Sequence, residues 1–164
     1  FDESTIFTTR EHRLRLLKHG KETIKIIIKN RIIYVFYPEF AKIGDPRIQI
    51  SIRRAITEAW RIEAKKHLPG RVRELAVNHG LKYKSVYIKN AGTRWGSCSP
   101  VNNINLNVQL MRLPQHLADY VILHELVHTV HNNHGKNFWI LLDKVTGNAR
   151  NLDRQLKKYN LKVW

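Results

Sequence analysis

Apolar residues recur along the chain with a period that switches between two and about 3.6, and each switch marks a change from strand to helix. Segments 13–18, 23–29 and 32–37 are rich in branched and aromatic residues and are separated by His19-Gly20-Lys21 and Asn30-Arg31, which predicts three strands in a β-meander closed by Pro38. After a loop through Gly44, Asp45 and Pro46, the spacing of Ile52, Ala55, Ile56, Ala59, Trp60 and Ile62 predicts a helix over 48–67. Pro69-Gly70 is expected to break it, and a short helix over 71–78 to end at His79-Gly80. A strand over 85–89 and an irregular turn over 91–100 follow. Strict alternation then predicts a strand over 104–110, with Ile104, Leu106, Val108 and Leu110 on one face and Asn105, Asn107 and Gln109 on the other.

Leu113-Pro114 starts a helix that is apolar over most of its surface, through Leu117, Val121, Ile122, Leu123, Leu126, Val127 and Val130. Phe138, Ile140, Leu141, Leu142 and Val145 predict another helix, which Gly147 separates from a last basic one over 152–159. The fold class is therefore α+β, organised as one domain over 1–164. Its parts are a β-rich portion (1–46), a helical portion (47–80), a core (81–146) and a C-terminal helix (147–164).

Inside the most apolar helix the pattern is violated by His124, Glu125 and His128, an H-E-x-x-H sequence. In a helix the two histidines lie one turn apart on one face, able to aim at a single ion. His134 lies ten residues past His124, and Asn132, Asn133 and Gly135 tolerate the left-handed backbone that would end the helix and return a third imidazole. His131 continues the spacing but is rotated from His128 and two turns from His124, which disfavours it as a ligand. The alternative is a set of hydrogen-bonded core histidines. Buried, unpaired ionisable groups are costly, and a metal taking neutral imidazoles beside a working carboxylate explains their presence. Tyr120, one turn before His124, is either a donor to the site or a buried aromatic. The 104–110 strand is either purely structural or a partner for an extended peptide, with Asn105 and Asn107 on its polar face.

Charge widens the picture. Twenty-nine Lys and Arg against 13 Asp and Glu leave a net charge of +16, which favours polyanionic or acidic partners, nucleic acid included. The cations are scattered in pairs such as Arg53-Arg54, Lys65-Lys66 and Lys157-Lys158, which is also what a solvated basic surface looks like. No apolar run is long enough for a membrane span, and no signal-peptide pattern opens at Phe1. A single cysteine, Cys98, excludes an internal disulfide and is compatible with the reducing cytoplasm, the expected location.

The ordered set Arg94-Trp95-Gly96-Ser97-Cys98-Ser99, Ile104-Asn105-Leu106-Asn107, Asp119-Tyr120-Val121-Ile122-Leu123-His124-Glu125-Leu126-Val127-His128, Asn133-His134 and Phe138-Trp139 resembles the YgjP-like metallopeptidase domain, a bacterial group of predicted metal-dependent hydrolases related to SprT-like zinc proteins. The resemblance covers nearly the whole chain and is densest over 81–139. It implies a zincin-like domain with a central sheet and an active-site helix. Carried over by position, the metal ligands are His124, His128 and His134, and the catalytic glutamate is Glu125. Two departures, Asn103 in place of a glycine and Thr146-Gly147-Asn148 in place of a proline-containing turn, touch loops rather than metal ligands. The Arg94 to Cys98 segment has no role derivable from the residues alone. Arg94 could bind a substrate carboxylate, polarise a carbonyl or pair with Asp119, Trp95 could contact substrate, and Cys98 reads as a structural thiol.

The expected function is peptide-bond hydrolysis by a zinc-bound water assisted by Glu125, with one Zn²⁺ per chain and a protein or peptide as substrate. The alternative is a basic nucleic-acid-binding module with a mainly structural zinc site.

Overall fold

The computed structural model describes all 164 residues and divides into two compact units, Phe1–Glu63 and Ala64–Trp164. In the first, strands β1 (Arg13–His19), β2 (Lys25–Lys29) and β3 (Ile32–Pro38) form a sheet in the order β1-β3-β2. The three strands lie where the alternation places them, but they are not a meander: β1 runs parallel to β3, and only β2 pairs antiparallel with it. Periodicity reports which residues share a face and is silent on strand order. Order follows burial here, because β3 carries the fully buried Ile33, Val35 and Tyr37 and takes the middle position, with a partner on each side. Asn30 and Arg31, both at positive φ (51° and 62°), make the two-residue turn between β2 and β3, the geometry that matches the twist of a hairpin.

The first unit also holds the start of helix α1 (Pro46–His79). Glu63 on this helix has 0% exposure, and its Oε1 accepts from the Glu11 backbone N–H (3.0 Å), pairs with His12 Nδ1 (2.7 Å) and accepts a short hydrogen bond from Thr9. A buried carboxylate is tolerable only with such partners, and these tie the lead into β1 to the helix.

The expected break at Pro69-Gly70 does not occur, and α1 runs through both residues as one helix. A proline inside a helix costs about 3 kcal/mol. Buried residues continue at helical spacing on both sides of it (Ala64 and Leu68 before, Val72, Leu75 and Ala76 after), and burying Leu68, Val72 and Leu75 at about 1.5–3 kcal/mol each outweighs one missing hydrogen bond. The helix stops where expected, with Gly80 at φ 65° and the Leu81 N–H bonded to Ala76 O (2.9 Å).

The second unit contains a sheet of β4 (Ser85–Lys89), β5 (Gly96–Cys98) and β6 (Asn103–Asn107) in the order β4-β6-β5, with β4 parallel and β5 antiparallel to β6. β5 lies within the stretch expected to be an irregular turn; three residues are too few for alternation to register. The strand expected over 104–110 ends at Asn107, and a 3-10 helix, Val108–Arg112, follows. Val108 and Leu110 are buried there all the same. Asn107 makes the switch: its Oδ1 accepts from Gln109 N–H (3.0 Å), while its Nδ2 donates to Ala91 O (2.6 Å) and Arg94 O (2.9 Å). One buried side chain caps the 3-10 turn and holds the loop before β5.

Helix α2 (Gln115–Val127) contacts β5, β6, α3 (Lys136–Thr146) and α4 (Ala149–Leu156), which accounts for its burial on nearly every side. Gly147, at φ 86°, ends α3 with its N–H on Asp143 O (2.8 Å), and Asp143 Oδ1 accepts the Ala149 N–H at the start of α4. The last helix thus begins and ends earlier than the expected 152–159. No helix is long and apolar enough to cross a membrane.

Candidate metal centre

His124 and Glu125 lie in the last turn of α2, and His128 caps its C-terminus. The helix does not end on a left-handed residue, since Asn132, Asn133 and Gly135 all avoid positive φ. It tightens instead: Thr129 and Val130 donate to carbonyls three residues back (3.1 and 3.0 Å), and the Thr129 hydroxyl takes Leu126 O (2.7 Å). The chain then turns through 131–134 and restarts at Gly135, the N-cap of α3. This detour returns the third histidine. His134 Nε2 lies 3.1 Å from His124 Nε2 and 3.0 Å from His128 Nε2, and the ligand atoms of the three all fall within 4.8 Å of one another.

Three nitrogens of tetrahedral zinc, each at about 2.0–2.1 Å from the ion, are separated by about 3.3 Å, so the observed spacing fits a metal with little adjustment. Protonation states agree. His128 Nδ1 faces His131 O at 3.0 Å, and since a carbonyl only accepts, Nδ1 carries the hydrogen and Nε2 presents its lone pair to the cluster. His131 therefore enters the site through its main chain; its imidazole is not among the converging ligands. Burial and the neighbouring imidazoles push His124 down to about 4, and burial pushes His128 down as well, so both are neutral near pH 7 as ligands must be.

Beneath the cluster lies Phe138 of α3, with 0% exposure and its ring centroid 4.9, 4.5 and 4.8 Å from those of His124, His128 and His134. It forms an apolar floor that limits how far any imidazole can rotate. By periodicity it is one apolar position on an amphipathic helix like Leu142; only the Phe138-Trp139 pair within the family resemblance singles it out, without a role.

The nitrogens open onto a cleft of ≈480 Å³ that Arg94, Gly96, Cys98, Glu125 and Asn132 also line. Glu125 is 7% exposed, and burial pushes its carboxyl up to about 8, with Arg94 pulling the other way. A cation held by the histidines would favour the carboxylate further. Gly96 makes this placement sterically feasible: a Cβ there would lie 2.9 Å from Glu125 Cγ and 3.1 Å from Asn105 O. Cys98 is half-buried on the same wall, and burial together with Glu125 raises its thiol, so it remains protonated.

The remaining residues of interest separate. Arg94 is exposed at the cleft, and Asp119, one of the three alternatives for its partner, is held by Arg71 through two hydrogen bonds (2.8 and 2.7 Å). Trp95 is half-buried outside the cleft lining and accepts the Asn107 N–H with its carbonyl (2.9 Å). Tyr120 is buried with its ring 6.0 Å from that of His124, and burial and the nearby Asp153 carboxylate raise its hydroxyl far above the usual range; it too lies outside the lining. Asn105 and Asn107 belong to β6, whose two sides are taken by β4 and β5, so this strand has no free edge for a peptide. The two outer strands are β4 and β5, and β5 is the one that lines the cleft. Trp95 and Ser99 exchange bonds with β6, so by antiparallel alternation the main-chain groups of Gly96 and Cys98 point away from β6.

A family model described as YgjP-like, metallopeptidase domain, matches residues 3–159. No curated protein matches the chain by sequence. Among solved structures it is similar to the metallopeptidase zymogens jannalysin of Methanocaldococcus jannaschii and abylysin of Pyrococcus abyssi. Both are 22% identical, with TM-scores of 0.48 and 0.47, over 54% of this chain and 92% and 91% of theirs.

Proposed function

The chain belongs to the YgjP-like metallopeptidase-domain family, and from that premise we propose that it is a zinc-dependent peptidase with His124, His128 and His134 as ligands and Glu125 as general base. The observation that carries the reading is the convergence of three imidazole nitrogens at a cleft that also holds a buried carboxyl group. Three protein ligands leave one position open, and zinc so held supplies Lewis acidity and a water acidified towards about pH 7.

The chain's own residues supply the rest. Glu125 accepts the proton of the attacking water on its carboxylate and returns it to the leaving amine nitrogen. Its position against Gly96 fixes the angle from which it does so. The outward N–H and C=O groups of Gly96 and Cys98 would pair with an extended substrate as an added strand. Arg94, exposed at the cleft, would bind a substrate carboxylate or a carbonyl oxygen.

Two measurements test the proposal. The wild type should contain about one zinc per chain, lost in His134→Ala and retained in His131→Ala. Glu125→Gln should keep zinc and fold but lose peptide turnover. Absence of zinc after reconstitution, or turnover by Glu125→Gln at the wild-type rate, overturns it.

A further inference from the structure

The scattered cations of the N-terminal unit are gathered by its sheet. Ile33, Val35 and Tyr37 of β3 face the interior, so Ile32, Tyr34 and Phe36 occupy the opposite face and are only half-buried. Tyr34 and Phe36 stack on each other, with centroids 6.0 Å apart and ring planes 17° from parallel, and His19 meets Phe36 edge-on at 6.1 Å. The register places Arg13 and Arg15 of β1 beside Ile32 and Tyr34, on the same face. From the other side, β2 brings Lys25 beside Phe36 and Lys29 beside Ile32. All four cations are exposed, no carboxylate forms an ion pair with any of them, and no outward position of the three strands is acidic.

We propose that this face, two stacked aromatics on a central strand between two rows of unpaired cations, is a binding platform for single-stranded nucleic acid. The rings take unstacked bases, and the flanking Arg and Lys take the phosphates as the strand crosses the sheet. Together the components form the layout that single-stranded nucleic acid uses. The part of each aromatic ring left open to water costs hydration free energy, and four like charges on one small sheet repel one another until a polyanion neutralises them. The combination also discriminates among polyanions. A duplex keeps its bases stacked and offers the rings nothing, and a sulfated polysaccharide has no bases at all. The platform lies within residues 13–36 and does not depend on the chemistry of the histidine cluster.

Fluorescence anisotropy of labelled 12-nucleotide single strands with the full chain tests this, using oligo(dT), oligo(U), a duplex of the same length and heparin as competitor. Single strands of either sugar should bind more tightly than the duplex. Log K should fall against log salt with a slope of about −2 to −3, from about 0.7 per phosphate neutralised at four sites. Tyr34→Leu and Phe36→Leu, which keep an apolar strand residue, should each weaken binding at least about fivefold. The double variant Arg13→Ser, Arg15→Ser should flatten the slope by about 1.4. Circular dichroism checks that the variants fold. Should the aromatic variants fail that check, the exposed pair Arg15→Ser, Lys25→Ser decides the matter by the same loss of affinity and slope. Equal binding of duplex and single strand, wild-type affinity in the folded aromatic variants, or no binding at 50 mM salt would each overturn the proposal. The first two outcomes reveal a general polyanion surface.

Discussion

Gly96→Ala is the sharpest test of how Glu125 is held. The added methyl would lie 2.9 Å from Glu125 Cγ and 3.1 Å from both Glu125 Oε1 and Asn105 O. Carbon atoms in ordinary contact sit about 3.5–4.0 Å apart, so a shift of about 0.6 Å or more is needed. Asn105 O is main chain of the middle strand of its sheet and cannot give way without disturbing both neighbours. The displacement therefore falls on Glu125, whose 7% exposure leaves it little room. Overpacking of this kind costs about 1–3 kcal/mol, which for a chain of 164 residues lowers Tm by about 2–12 °C. On the proposed role of Glu125 as general base, moving it by such a distance should lower kcat tenfold to about a hundredfold. The three atoms closest to the added methyl belong to Glu125 and Asn105 and none to the histidines, so zinc content should stay unchanged. Thermal denaturation, metal analysis and peptide turnover on the purified variant read all three quantities. A variant with wild-type Tm and wild-type kcat would show that Glu125 is not pinned by this strand.

Removing the metal should destabilise the fold: at a thousandfold excess of zinc over Kd, binding contributes about 4 kcal/mol, so chelation should lower Tm by about 8–16 °C. An unchanged Tm after verified zinc loss would refute that coupling. Asn107→Ala removes three hydrogen bonds from a buried junction and should cost about 2–3 kcal/mol in urea denaturation, with a raised KM as the loop carrying Arg94 loosens. A loss below about 0.5 kcal/mol, the level of an ordinary surface substitution, would mean the loop is held elsewhere. His12→Ala strips a partner from a carboxylate with 0% exposure and should cost about 3 kcal/mol by the same assay. Wild-type stability in that variant would place the anchoring of the first strand on Thr9 and the Glu11 N–H alone.

Much of the site is visible in the residues because its signal is local. His124, Glu125 and His128 are polar positions in a helix that is otherwise apolar, and their spacing follows from helical geometry whatever the surroundings. His134 is the third of the converging nitrogens, as its place after a turn-forming stretch suggested, although the turn uses i→i+3 bonds rather than left-handed residues. Strand positions in the first sheet and the helix end at Gly80 are equally local, set by alternation and by the backbone freedom of one glycine.

Whatever depends on which segment meets which was decided only by the tertiary structure. Pro69 reads as a helix breaker until the burial on both sides of it is known. β3 in the middle of its sheet, β5 as an edge strand at the cleft and β6 enclosed between two neighbours are outcomes of pairing, which period-two patterning does not encode. Phe138 under the imidazoles and Gly96 against Glu125 owe their roles to atoms far away in sequence. The physical division is one of range. Dihedral preference and hydrophobic period act over a few residues and can be read along the chain, whereas packing and strand order minimise a free energy summed over contacts that exist only after the chain has folded.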